Sequence, residues 1–324
     1  MDKEKAVVFA LTTSVNLAKE MCEVIGLELG KCEVKHFADG EILVQLGDTV
    51  RGKDVFIVQS TCNPVSSSIM EVLICIDACK RASAKSISVI TPYYGYARQD
   101  RKAQPRQPIT AKLIADLLQA AGATRVITTE LHAAQIQGFF NIPVDDLSVM
   151  CIISNYFVEK FGPNADDVVV VSPDHGGTTR ARKVANALNC PLAIIDKRRP
   201  KPNVAEAMNL IGDVKGKKAI VVDDIVDTAG TLMAGIDMLY NNGATEVYTA
   251  CAHAVLSDPA IERINNSKIV EFVCTNTIDQ TENAKLMPKM RVISLAELLA
   301  LTIRQIEEGR PVSEMLQRFN YDNK

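Results

Sequence analysis

Residues 219–232 read AIVVDDIVDTAGTL, an apolar run that delivers two adjacent acids, Asp223 and Asp224, and then a short polar turn. In that turn Asp227, Thr228, Ala229, Gly230 and Thr231 supply small side chains, two hydroxyls and successive backbone N–H groups ahead of an amphipathic stretch. A strand ending in such a turn and opening a helix suits a phosphate. The first N–H groups of a helix lack intrahelical partners and carry the positive end of the peptide dipoles. The paired acids fall where a sugar's vicinal hydroxyls or a Mg²⁺ ion would lie, at the carboxyl end of a strand. An ordinary capped turn needs one Asp or Thr. Two acids closing an apolar strand, with a third before TAGT, ask for a ligand.

Two further segments concentrate positive charge. Residues 98–106 set Arg98, Arg101, Lys102 and Arg106 against Asp100, a local +3 suited to a triphosphate. Residues 196–201, DKRRPK, carry four cations and one acid, and Pro200 and Pro202 discourage regular structure there. In SPDHGGTT, Asp174 follows a proline at a strand end, and Gly176 and Gly177 allow close backbone approach. His175 acquires no role from the sequence. Neither G-x-x-x-x-G-K-[ST] nor G-x-G-x-x-G occurs, so a nucleotide would not be held by either of those loops.

The elements that must position these residues are legible as a pattern. Strands are expected at 6–11, 42–46, 55–59, 86–91, 125–130, 168–172, 192–195, 218–222, 246–252, 269–275 and 291–293. Several are apolar without alternation, as strands buried on both faces of a parallel sheet should be. Residues 110–121 and 230–241 read as helices. Ser68 with Glu71 and Ser294 with Glu297 read as capping boxes, the second opening a helix to about residue 308. Strands alternating with helices predict an α/β fold with mostly parallel sheets. The pattern pauses near 141–149 and then repeats. GATRVITTE (122–130) is echoed by GATEVYTAC (243–251), which is compatible with internal duplication and equally with a common helix–Gly–strand connector.

Composition sets the outer bounds. The 324 residues suggest about two domains, and a net charge of −3 argues against a nucleic-acid coat. No apolar run approaches 18 residues and the N-terminus does not read as a secretory signal, so neither membrane insertion nor export is expected. Nine cysteines, an odd number without CxxC spacing, read as thiols of a reducing, cytoplasmic compartment.

The acid pair followed by TAGT resembles the ribose 5-phosphate loop of type I phosphoribosyltransferases. With it, FADGE (37–41), RGKDVFIVQS (51–60), PYYGYARQDRK (92–102), ELHAAQIQGFFNIPVD (130–145), VVSPDHGGTTRA (170–181) and DKRRPKPN (196–203) occur in order. Together they resemble the ribose-phosphate diphosphokinase family, of its phosphate-activated class, over nearly the whole chain. The resemblance implies two duplicated phosphoribosyltransferase-like domains, 1–148 with the ATP-side motifs and 149–324 with the ribose 5-phosphate and catalytic loops. It implies transfer of the diphosphoryl group of ATP to the 1-hydroxyl of ribose 5-phosphate, with Mg²⁺ as cofactor, in a homo-oligomer, a hexamer.

Residue by residue, the resemblance gives Lys197 and Arg199 as the catalytic pair on a mobile loop. It gives His132 and Asp174 as Mg²⁺–ATP contacts, and Arg98, Gln99 and Asp100 as ATP-binding. Phe37, Asp39, Gly40 and Glu41 are implied to reach an ATP site, Phe37 stacking on adenine. Asp223 and Asp224 would bind the ribose hydroxyls, and Asp227 to Thr231 the 5-phosphate. Glu130 and Asn141 stand where the family has Asp. The alternatives are a phosphoribosyltransferase that consumes the product, which would not need FADGE, RQD or the doubled length, and a catalytically silent subunit of the same fold.

Overall fold

The computed structural model describes residues 2–198 and 207–319. The chain forms two compact units. Unit 1 comprises Met1–Ser148, Thr277–Asp279 and Ser294–Val312; unit 2 comprises Val149–Asn276, Gln280–Ile293 and Ser313–Lys324. The chain is therefore not divided at a single point: its last long helix counts with the first unit.

Unit 1 runs β1 (Ala6–Ala10), α1 (Val15–Ile25), β2 (Cys32–His36), β3 (Ile42–Leu46), β4 (Asp54–Val58), α2 (Val65–Arg81) and β5 (Ser86–Thr91). It continues through α3 (Thr110–Ala121), β6 (Arg125–Thr129), a 3₁₀ turn at Ala134–Phe139 and β7 (Val144–Leu147). Five strands form one parallel sheet in the order β1-β4-β5-β6-β7, and β2 and β3 form a separate antiparallel hairpin. In α1, Leu17, Ala18, Met21, Cys22 and Ile25 make the buried stripe that a 3.6-residue period requires, and Gly26 ends the helix at φ +69°.

Unit 2 runs α4 (Met150–Phe161), β8 (Val168–Ser172), α5 (Thr178–Ala187), β9 (Leu192–Arg198), β10 (Ala207–Ile211), β11 (Lys218–Val226) and α6 (Gly230–Asn241). Then come β12 (Glu246–Ala254), α7 (Ala260–Asn266), β13 (Glu271–Thr275), α8 (Thr281–Leu286) and β14 (Met290–Ile293). The last helices of the chain are α9 (Ala296–Glu307) and α10 (Val312–Leu316). The seven-stranded sheet has the order β10-β9-β8-β11-β12-β13-β14, parallel except for the β9–β10 pair. β8 is buried at all five positions, the reason its VVVVS run lacks alternation.

The structure corrects several expectations. β2, β7 and β10 were not anticipated, because CEVKH, VDDL and AMNLI lack a continuous apolar β-branched run. The interval 141–149 thus holds a strand and not a pause. β9 extends to Arg198 and β11 to Val226, so the acid pair lies inside a strand, with Asp223 in register with Cys251 of β12. The Ser68–Glu71 capping box does not form: α2 begins three residues earlier with Pro64 as its cap. Ser68 Oγ donates to the carbonyls of Cys62 and Val65, while Glu71 is drawn into a buried cluster. Ser294 does accept the N–H of Ala296, but one residue ahead of the cap position of α9.

Candidate active site

In unit 2, the chain leaves β8 through α5 toward β9 on one side and leaves β11 through α6 toward β12 on the other. Adjacent parallel strands whose connections diverge open a crevice at their carboxyl ends, where ligands bind in open α/β sheets. Asp174 follows β8, and Asp223 and Asp224 occupy the last turns of β11, so all three acids fall at this divergence. Burial, reinforced by the neighbouring Asp224 carboxylate and more weakly by Asp174, holds the Asp223 carboxyl well above the usual carboxylate range. The N–H of Asp224 donates to Asp223 Oδ1 at 2.9 Å, and Arg180 Nη2 lies 3.7 Å from Asp224 Oδ2. Arg180, on the first turn of α5, was missed by the sequence reading. Its signal was there in TTRA, three residues beyond the two glycines.

The Asp227–Thr231 turn sits immediately beyond β11. Ala229 adopts φ +59°, a left-handed conformation that costs a residue with a Cβ and persists only where the surroundings fix it. Arg263 of α7 contributes to fixing it, its Nη1 donating to Thr228 O at 2.8 Å. Thr228 and Thr231 are exposed, and Gly230 starts the twelve-residue helix α6. The backbone N–H groups of a helix start are thereby presented beside three carboxylates.

Asp174 is exposed and its turn is internally braced. Its Oδ1 accepts from Gly177 N at 2.8 Å, and its carbonyl accepts from Ser172 Oγ at 2.6 Å. His175 Nε2 lies 3.0 Å from Asp196 Oδ1. Lys197 is in β9, its backbone opposite Met208 of β10. Its position in an antiparallel pair differs from the loop expected of it. Arg199 lies outside the described residues.

In unit 1 the RQD run and His132 follow β5 and β6, which are neighbours in the sheet, while residues 37–41 lie on the separate β2–β3 hairpin. Arg98 and Gln99 are exposed, and Asp100 accepts from Gln135 Nε2 at 2.8 Å, which ties the RQD run to the segment carrying exposed His132. Gln99 Oε1 accepts from Thr110 Oγ1 at 2.5 Å. The path from β5 into RQD is fixed at Gly95, where an added Cβ would stand 2.3 Å from Thr61 O. Glu130, at φ +44°, is buried and accepts from Ser148 Oγ at 3.0 Å, so the longer carboxylate is engaged within its own unit. Asn141 is exposed. Phe37, Asp39, Gly40 and Glu41 form the tip of the β2–β3 hairpin. Asp39 Oδ1 accepts from Glu41 N, Gly40 takes φ +92°, and Phe37 leaves 51% of its surface exposed.

As a metal site the donors are sparse. Among the described residues no group of three or more His, Cys, Asp or Glu is arranged to hold an ion by itself. Mg²⁺ keeps several waters and takes one or two carboxylates plus substrate phosphates, a demand that the exposed Asp174 carboxylate suits.

Known proteins match the chain over most of its length. A family model described as the N-terminal domain of ribose phosphate pyrophosphokinase matches residues 6–122, and one described as the phosphoribosyl synthetase-associated domain matches residues 164–317. The ribose-phosphate pyrophosphokinase of Oceanobacillus iheyensis is 58% identical over 306 residues, covering 94% of this chain and 95% of its own. That of Bacillus subtilis is 55% identical over 306 residues, with the same coverage. The crystal structure of phosphoribosylpyrophosphate synthetase from Mycobacterium smegmatis matches with a TM-score of 0.89 at 42% identity, over 94% of this chain and 99% of that one. By these matches the chain belongs to the ribose-phosphate pyrophosphokinase family.

Proposed function

We propose that the protein transfers the β,γ-diphosphoryl group of ATP to the 1-hydroxyl of ribose 5-phosphate, giving 5-phospho-α-D-ribose 1-diphosphate and AMP. The observation that carries the reading is the acid pair and phosphate turn at the strand divergence of unit 2. Carboxylates accept hydrogen bonds from a sugar's vicinal hydroxyls, which assigns Asp223 and Asp224 to the ribose. Residues 227–231 and the start of α6 bind the 5-phosphate through N–H groups and hydroxyls.

Arg98, Gln99, Asp100 and His132 bind the triphosphate side of ATP, with Phe37 against the adenine face and Asp39, Gly40 and Glu41 at its rim. These roles rest on the family resemblance, and the hydrogen bond between Gln135 and Asp100 supports grouping the RQD run with the His132 segment. Asp174 of unit 2 would contribute to holding Mg²⁺, which when bound neutralises charge on the phosphate oxygens, and the family resemblance gives His132 of unit 1 as a contact of Mg²⁺–ATP. Asp174 is the better donor, because this hard cation prefers oxygen to imidazole nitrogen. Lys197 and Arg199 stabilise negative charge on the transferring group, where positioned cations supply most of the catalysis.

In the step itself the ribose O1 attacks the β-phosphorus in line. The O1–Pβ bond forms, the bond from Pβ to the bridging oxygen of the α-phosphate breaks with its electron pair on AMP, and the hydroxyl proton passes to solvent. No side chain is required as a base. A homohexamer in the cytoplasm belongs to the same reading. The test is to incubate the chain with ATP, Mg²⁺ and ribose 5-phosphate. AMP and phosphoribosyl diphosphate are expected in equal amounts; absence of both sinks the reading.

A further inference from the structure

We propose that His175 is a positioning residue for the diphosphoryl transfer, holding Asp196 and through it the backbone of Lys197 at the carboxyl end of β9. The inference rests on the catalytic role proposed for Lys197.

His175 and Asp196 are an unequal pair. The imidazole keeps 67% of its side-chain surface exposed, whereas the carboxyl keeps 10%. A carboxylate with so little access to water is costly unless it accepts hydrogen bonds. It offers acceptors only, so His175 Nε2–H is the donor across the 3.0 Å contact. The bond joins residues 21 apart in sequence, His175 in the turn after β8 and Asp196 within the neighbouring parallel strand β9.

Both ends of this strap are informative. On the β8 side the imidazole stands on a braced turn. Ser172 Oγ donates to Asp174 O, Gly177 N donates to Asp174 Oδ1, and Thr178 Oγ1 donates to His175 O at 2.9 Å. The residue before His175 is Asp174. On the β9 side the residue after Asp196 is Lys197, where the strand is held on one flank by the antiparallel partner β10, with Asp196 opposite Asn209. The β8–β9 pairing ends at Ser172 with Ile194, two residues short of Asp196. Beyond that point the His175–Asp196 bond links β9 to the turn that follows β8. It sets the Lys197 backbone relative to the Asp174 turn, at the residue proposed to stabilise the transferring group. Such placement matters because a misplacement of about 1 Å can cost on the order of 100-fold in rate.

The pair is tested by steady-state kinetics on the full chain with ATP, Mg²⁺ and ribose 5-phosphate. His175→Ala is expected to lower kcat about tenfold while KM for each substrate stays within about twofold, the signature of an interaction used in the transition state. His175→Gln, which keeps an N–H donor, should recover most of kcat, whereas His175→Leu should not. His175→Ala and His175→Leu take a donor from the Asp196 carboxylate and should lower Tm by a few degrees, whereas His175→Gln should melt close to the wild type, so kcat is read well below these transitions. In a Lys197→Ala background His175→Ala should cost nothing further, since the imidazole acts through that lysine. An unchanged kcat in His175→Ala, or a full tenfold loss repeated in the Lys197→Ala background, overturns the inference. A wild-type chain that forms no AMP instead overturns the functional reading on which it stands.

Discussion

β4 of unit 1 and β11 of unit 2 start from the same turn, Val50-Arg51-Gly52-Lys53 in one and Val214-Lys215-Gly216-Lys217 in the other. Val50 and Val214 are both buried, and Gly52 and Gly216 take φ +72° and +73°. The hydrogen bonds match one for one. Gly52 N–H donates to Ser83 O as Gly216 does to Gly243 O, Lys85 to Lys53 O as Thr245 to Lys217 O, and Asp54 to Lys5 O as Lys218 to Asp167 O. Counting up from those turns, Val58 corresponds to Val222 and Gln59 to Asp223, and β1 and β8 bring Thr12 into correspondence with Asp174. The two units are copies of one scaffold. At the carboxyl edge they part.

In unit 1 that edge is closed on itself. Gln59, fully buried, donates to Glu71 Oε2 at 2.8 Å and accepts from Thr13 N and Oγ1 at 3.0 and 2.9 Å. Thr12 Oγ1 donates to Glu71 at 2.7 Å, and His36 Nε2 stands 3.3 Å from the same carboxylate. In unit 2 the corresponding positions are Asp174 and Asp223, and burial together with the neighbouring carboxylates holds the Asp223 carboxyl above its usual range. One copy satisfies its polar groups internally at these positions; the other leaves like charges together, which is costly without a ligand. Unmet electrostatics, more than the fold, mark the binding edge.

The hairpins differ as well. β2–β3 forms its own two-stranded sheet with Phe37 at its tip, whereas β9–β10 is joined to the main sheet through β8 and carries Lys197. If one hairpin serves binding and the other chemistry, their variants should separate. Lys197→Ala is expected to reduce kcat by about 1,000-fold or more, as removal of a cation from a transferring phosphoryl group does. Phe37→Ala should instead raise KM for ATP about tenfold, within the worth of a base stacked on an aromatic ring. A large kcat loss with unchanged KM in Phe37→Ala would break that division.

Next in size is Gln59→Glu, which sets a second carboxylate against Glu71 in a dry site and removes a donor. It should cost about 3 kcal/mol of stability, read by urea denaturation. A variant as stable as wild type would mean that the unit 1 cluster is not closed as described. The smallest effect has the opposite sign. Asp223 has a carboxyl raised above its ordinary value of 3.8, so its contribution to stability is complete below that pH and is lost as pH rises through the higher folded value. At neutral pH in metal-free, substrate-free buffer, Asp223→Asn should therefore raise Tm by about 2–4 °C while abolishing ribose 5-phosphate turnover. A lower Tm would show that unit 2 is not paying for its acids.

Much of the site was legible because its chemistry is local. The acids, the TAGT turn, the RQD run and Asp174 occupy short contiguous segments whose residue types suit the tasks proposed for them. The duplication was legible too, though the GAT echo was the wrong witness. Residues 122–124 join α3 to β6, whereas 243–245 join α6 to β12, and the true counterpart of the latter is the connector after α2, where Ser83 takes φ +66° in place of Gly243 at +89°. The informative repeat was V-[RK]-G-K. β2, β7 and β10 stayed hidden because short strands at edges and in hairpins need no apolar run. Glu71 read as a cap because S-x-x-E is the same string whether the carboxylate turns to its own helix or to a buried cluster.

The sequence by itself determined the α/β alternation, the buried strands and the reactive segments, since burial period and local turn chemistry are written in neighbouring residues. Only the tertiary structure decided which segments share an edge, that the edge of unit 1 is sealed by Thr12, Thr13, Gln59 and Glu71, and that His175 reaches Asp196. Those facts depend on strand order and on hydrogen bonds between residues far apart in the chain, and nothing in a linear pattern fixes which distant donor meets which acceptor.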